Sequence, residues 1–181
     1  RLWAALAADA VRLPHAVRPH ILNITQRELC RQHDMRYNEF LETFDTGVGT
    51  NSYTLPVTFS RPYEMQYIDP DSGGVVEPEY LPLSDFDSLY PLPTVTGKPQ
   101  HYTFWNDLLY LGPTPSIVVT IHHAYYGYLA DLVADGDHNM LTDRAWEILL
   151  FKALGDTHRY GLEDARIPVW IQRGNELEDQ M

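Results

Sequence analysis

The chain has 181 residues, 44% hydrophobic and 21% charged, a balance that suits a globular protein and argues against long disorder. Twenty-five acidic side chains against 13 basic ones give a formal charge of −12. That charge argues against a protein gripping nucleic-acid phosphates through a basic face, although it leaves open a ring through which DNA slides.

Residues 2–13 are strong helix formers, and Pro14 stops them. The apolar stretch at 2–8 is short and lacks a basic flank and cleavage site, so no secretory leader is expected. No apolar run approaches the roughly 18 residues of a membrane helix. A second helix is predicted over 15–35. Val17, Ile21, Ile24 and Met35 share one side, Leu22 and Leu29 widen the stripe, and Pro19 falls near the start. His33-Asp34 would sit in its last turn. Cys30, the lone cysteine, cannot close an internal disulfide and reads as a small buried hydrophobe.

From Tyr37 the period changes to two. Residues 40–44 alternate, Gly47-Val48-Gly49 breaks the chain and 52–57 return, which predicts a hairpin with a long tip. Residues 63–68 and 75–83 flank the turn cluster Asp69-Pro70-Asp71-Ser72-Gly73-Gly74. Ser84 is expected to cap a one-turn helix with Asp87 as its acidic partner, and Pro91 and Pro93 end it. Residues 100–105 and 108–111 flank Asn106-Asp107, a pair that tolerates the positive φ of a two-residue hairpin turn. Gly112-Pro113-Thr114-Pro115 ends the second of these strands. Over 116–126, Ile117, Val119 and Ile121 alternate with Val118, Thr120 and His122. Short strands at this spacing indicate a small antiparallel sandwich or barrel.

After a polar linker at 129–139, Thr142 or Asp143 is expected to cap a helix over 144–156. Its apolar face is Ala145, Trp146, Leu149, Leu150, Ala153 and Leu154. A last helix runs from about 162 to about 179, with Pro168 either in its first turn or kinking it. The expected fold class is therefore α+β. Helices at 1–36 and 128–181 form a helical bundle, because two helices alone cannot bury a broad apolar stripe, and an antiparallel β-sandwich or barrel-like domain is inserted at 37–127.

Chemistry-bearing residue sets do not assemble. His122 and His123 are adjacent on a predicted strand, so their rings point to opposite faces, and the other histidines lack zinc spacing. Asp135-Gly136-Asp137-His138-Asn139 imitates a calcium loop, but Met140 stands where glycine is needed and Trp146 where a bidentate Glu is needed. The carboxylate pairs Glu77/Glu79, Asp85/Asp87 and Glu163/Asp164 have no glycosidase context. No nucleophile elbow, phosphate loop or H-E-x-x-H occurs. No catalytic, cofactor or metal residue is assigned. The aromatic load, twelve Tyr and four Trp, instead suits interfaces, with Trp105, Tyr125 and Tyr126 as candidates in the strand region.

Three motifs occur in order: Asp85-Phe86-Asp87-Ser88-Leu89-Tyr90-Pro91, then Thr96-Gly97-Lys98-Pro99-Gln100-His101-Tyr102-Thr103, then Leu109-Tyr110-Leu111-Gly112-Pro113-Thr114-Pro115. With the helix at 21–34, the strand ending Tyr125-Tyr126 and the two closing helices, the chain resembles the head–tail connector (adaptor) proteins of tailed bacteriophages, especially short-tailed ones. The resemblance implies a helical body with a β domain and a non-enzymatic structural protein of the virion, made in the host cytoplasm. It also implies a homo-oligomeric ring of about twelve copies. The implied partners are the portal protein and tail nozzle, tube or fibre proteins, with genome DNA passing through without sequence-specific binding and no membrane partner. By that analogy the closing helix, with Trp170, Ile171 and Leu177, is the candidate for portal contact. The tips at 46–52 and 69–74 are candidates for tail or neighbour contact. The residues alone also admit a monomeric carbohydrate-binding β module or a cell-wall hydrolase accessory.

Overall fold

The computed structural model describes residues 2–9, 14–134, 136–160 and 163–180. The fold is mixed α+β, and the chain divides into two units, Arg1–Asn38 with Tyr128–Met181, and Glu39–Gly127. In chain order the helices are α1 (Leu2–Asp9), α2 (Arg18–Gln32), α3 (Leu83–Leu89), α4 (Met140–Arg144), α5 (Trp146–Asp156) and α6 (Ile167–Glu178).

In the helical unit, α5 packs against α1, α2, α4 and α6. The first helix is described to Asp9, and the rest of the predicted 2–13 lies outside the described residues. The second is shorter than predicted. His15–Val17 form a separate 3-10 turn, and Pro19 sits in the first turn of α2, where a missing N–H leaves no bond unmade. The chain turns extended at His33, so His33-Asp34 lie past the last turn. Met35 is buried beyond the helix; its N–H donates to Asn38 Oδ1 (3.1 Å) while Asn38 Nδ2 donates to Cys30 O (3.0 Å). The buried face of α2 is Ile21, Leu22, Thr25, Gln26, Leu29 and Cys30, so two polar residues take a place the apolar stripe did not foresee.

Those polar residues explain the next difference. The predicted polar linker begins as a strap laid along α2 over residues 128–132, while Val133, Ala134 and residues 136–138 are exposed. Asn23 donates to Leu132 O (3.0 Å) and accepts from Leu132 N (2.8 Å), and Gln26 Nε2 donates to Leu129 O (3.3 Å) and Ala130 O (3.0 Å). Asn23, Gln26 and Arg27 are neighbours on one helix face, and Arg27 pairs with Asp131 at 2.8 Å. Leu129 and Leu132 are buried beneath the strap. Further on, Asn139 caps α4: its side chain accepts from Leu141 N and Thr142 N, and Thr142 Oγ1 accepts from Asn139 N. Thr142 and Asp143 lie inside α4, and α5 starts after Ala145 with no side-chain cap. The chain breaks helical geometry at Ala145, which separates the short α4 from α5. The α5 core face is Ile148, Leu149, Leu150, Ala153, Leu154 and Gly155, with Ala145 and Trp146 only half-buried. Pro168 lies in the first turn of α6 and does not kink it. Gly155 sets the α5–α6 approach, because a Cβ there would meet Ile171 Cγ1 at 2.8 Å.

The β unit contains β1 (Glu39–Asp45), β2 (Ser52–Thr54), β3 (Phe59–Ile68), β4 (Val75–Val76), β5 (Glu79–Tyr80), β6 (Thr96–Gly97), β7 (His101–Trp105), β8 (Leu108–Gly112), β9 (Thr114–Pro115) and β10 (Thr120–Gly127). One antiparallel sheet runs β1-β10-β3-β4, a second runs β2-β8-β7-β5, and β6 pairs with β9. The β5–β7 and β6–β9 pairings are parallel. Met65, Tyr67 and Ile121 from the first sheet and Tyr102, Leu109 and Leu111 from the second share one buried cluster with Val119, a sandwich-like arrangement.

The predicted hairpin of 40–44 with 52–57 does not form. The strand β1 pairs with β10 in one sheet and β2 with β8 in the other. The glycine break is a crossover: Thr46 N donates to Val119 O (2.9 Å) and Gly49, at φ +78°, donates to Pro115 O (2.9 Å). Both strands still face the same core, so Phe44 and Tyr53 meet with ring centroids 5.0 Å apart. The 69–74 cluster does close a hairpin, pairing Tyr67 with Val76 and Ile68 with Val75. Its return strand ends there, and β5 belongs to the second sheet. Ser84 caps nothing: Pro82 holds the N-cap position, its carbonyl accepts from Phe86 N (2.9 Å), and Ser84 lies inside α3. Asn106 and Asp107 adopt φ of 51° and 60° between β7 and β8, as the two-residue turn requires. Ile117 and Val119 precede β10, which begins at Thr120.

Candidate interaction surfaces

The residues singled out for contact divide by exposure. Trp170 is 5% exposed and packs inside the helical unit, with the Arg166 guanidinium 4.7 Å from its ring centroid. Tyr125 is also 5% exposed; it stacks on Phe40 at 5.6 Å and its hydroxyl lies 3.2 Å from Thr58 Oγ1. Tyr126 is buried under Arg61, 4.9 Å from its ring centroid, and Tyr63. These three spend their aromatic surface on their own unit. Trp105, in contrast, is 59% exposed at the β7–β8 hairpin tip, Ile171 is 42% exposed on α6, and Leu177 is half-buried.

A neighbouring loop extends the Trp105 position. Asp107 O accepts from Leu55 N (3.1 Å), which holds the loop carrying the fully exposed Val57 beside the Trp105 hairpin. On α6, Val169 is also exposed, on a different side of the helix from Ile171. Sequence reading missed Val57 and Val169, and no local pattern marks them, since a single valine in a turn or on a helix flank is ordinary.

Neither β tip is loose. At 46–52, Thr46 Oγ1 donates to Ile117 O (3.1 Å) and accepts from Val119 N (2.9 Å), and Tyr53 OH donates to Thr50 O (2.7 Å). At 69–74, the Asp69 carboxylate accepts from Lys98 Nζ (2.6 Å), Ser72 Oγ (2.8 Å) and Asp71 N (3.2 Å), while Lys98 also reaches Asp71 at 2.7 Å. The Lys98 and Ser72 hydrogen bonds hold Asp69 at about 2, and the two carboxylates push Lys98 to about 12. A braced tip of this kind presents a fixed shape.

In the helical unit Glu178 accepts from His33 Nε2 (2.7 Å) and from Lys152 Nζ, joining the ends of α2 and α6 to α5. Burial pushes the Glu178 carboxyl up, but those hydrogen bonds outweigh it and leave it below the ordinary range. Beside this clasp lies a cavity of about 800 Å³, lined by Met35, Tyr37, Trp146 and Leu177 with Arg36 and Arg144 at its rim.

His122 and His123 do point to opposite faces: His123 is 1% exposed inside the sandwich and His122 is half-exposed. Among the described residues, no three His, Cys, Asp or Glu side chains converge as a metal site, and no helix is long and apolar enough to cross a membrane. Charge is unevenly divided. Residues 39–127 carry eleven acidic side chains and two basic ones, Arg61 and Lys98, a net of −9 out of −12. Both basic groups are engaged, Arg61 over Tyr126 and Lys98 in the 69–74 turn.

Braced tips, exposed apolar side chains and an acidic β unit are features of a protein that works through its surfaces, as a structural adaptor does. The chain belongs to the SU10 adaptor protein family, a family of phage head–tail adaptors, whose model matches residues 1–172. No curated protein matches the chain.

Proposed function

We propose that the chain forms a homo-oligomeric ring of about twelve copies that joins the portal to the tail of a phage particle and lines part of the genome's path. It acts by contact and not by catalysis. The family match carries this reading, because it runs through both units. Two features support it. Exposed apolar side chains occur in each unit, Val57 and Trp105 in one and Val169 and Ile171 in the other, as heterologous ring contacts require. The acidic β unit would repel passing DNA and limit sticking. On this reading Ile171 and Leu177 on α6 contribute to the portal contact, and the braced tips and Trp105 meet tail proteins or the neighbouring copy.

Native mass by light scattering, with and without the portal protein of the same phage, tests the proposal. A ring-sized species that carries portal is expected, either preformed or templated. A chain that stays monomeric and never associates with portal would overturn it.

A further inference from the structure

The sandwich is open along one side, between its edge strands β1 and β2. There a cavity of about 170 Å³ reaches core residues Phe44, Tyr53, Leu109 and His123 under a rim that includes Glu42 and Asp45. Glu42 stands between Phe40 and Phe44 on the strand, so alternation puts it on the inward face with them. In register it lies directly opposite His123. An inward-facing carboxylate thus sits at the mouth of an aromatic slot. At its floor His123 Nε2 is buried with no hydrogen-bond partner among the described residues. Asp45 closes the strand end, where its Oδ1 accepts from Thr120 Oγ1 (2.6 Å).

We propose that this slot receives an arginine side chain from a basic segment of a partner protein. The volume equals about six waters of liquid, enough for a guanidinium carried on a few methylenes. A guanidinium can bond the Glu42 carboxylate while its plane lies against aromatic rings, which a compact ammonium does less well. The β unit's net of −9, with both of its own cations engaged, draws a basic partner to this side of the chain and supplies no cation of its own. The inference concerns the β unit alone and does not require the ring.

A competing reading is that Glu42 guards the β1 edge against pairing with another strand. NMR of the whole chain, titrated at low salt with acetyl-Gly-Arg-Gly-amide and with its citrulline counterpart, separates the two. Saturable millimolar shifts are expected at the His123 ring and the Leu55 and Leu109 methyls. They should weaken at least five-fold with citrulline and in Glu42→Gln, and persist in Glu64→Gln, which removes an equal charge from the outer sheet face opposite Ala124. Shifts that citrulline reproduces, or that Glu64→Gln abolishes equally, would overturn the slot. So would no shift at all, and self-association of Glu42→Gln would then assign Glu42 to edge protection.

Discussion

His123 keeps an imidazole in a box of Phe59, Phe104 and Tyr125, with ring centroids 5.3 to 6.1 Å away. Burial there lowers its pKa to about 4. The native state therefore holds the ring neutral, while the unfolded chain takes up a proton near the ordinary value of about 6.5. Stability from this group is complete above about 6.5 and falls as the pH drops towards 4, reaching a loss on the order of 3 kcal/mol. The facing charge, Glu42 across the β1–β10 register, is exposed and leaves the ring unpaired. His123→Phe should remove this slope. Urea unfolding at pH 7.5 and 4.5 should show wild type losing about 2 kcal/mol more than the variant between the two conditions. Parallel losses would mean that the imidazole finds a proton acceptor or water. Adjacency placed His122 and His123 on opposite faces, and the Ile117, Val119, Ile121 alternation gave His123 the apolar side. The box around it, however, depended on rings from β3 and β7, whose register no local pattern fixes.

Elements whose determinants are local were legible, and those set by distant partners were not. Asn106-Asp107 fixes its own hairpin because positive φ at two successive residues is a property of the dipeptide and its neighbours. The alternation of β1 and β2 was equally visible, yet it says only that each strand has an inner face, not which sheet it joins. The 128–132 strap was hidden for the same reason, since Gln26 meets its carbonyl partners 103 and 104 residues away. That strap is one hydrogen-bonded unit: Gln26 also accepts from Asn139 Nδ2 (2.7 Å), and Asn139 caps α4. Gln26→Ala leaves two carbonyls short of a donor and should cost about 1–3 kcal/mol, and Asn139→Ala about 1 kcal/mol for the cap. Because the two side chains bond each other, a double-mutant cycle by chemical denaturation should return a coupling of at least about 0.5 kcal/mol. Additive losses would show that the strap and the α4 cap form independently.

At the scale of the whole molecule, the chain enters the β unit through β1 and leaves through β10, and these strands are adjacent antiparallel partners with Glu39 opposite Tyr126. Such partners lie about 5 Å apart, so the ends of the β unit meet. The unit holds its own buried cluster, drawn entirely from residues between 39 and 127. The helical unit closes its own boundaries: Asn38 bonds Cys30 and Met35, and the strap is bonded to α2. Each unit thus has a core of its own, the condition for folding alone. Residues 39–127 expressed by themselves should unfold cooperatively in a calorimeter, with an enthalpy near 60 kcal/mol for a domain of this size around 60 °C. The complementary chain, with 39–127 replaced by a short Gly-Ser linker, should keep its helical circular dichroism and its own transition. The acidic unit should also melt at a temperature that rises with salt, because eleven carboxylates facing two cations repel one another and screening relieves that repulsion. A β fragment without a cooperative transition would show that its sheets depend on the helical unit, and the two would then have to be treated as one folding body.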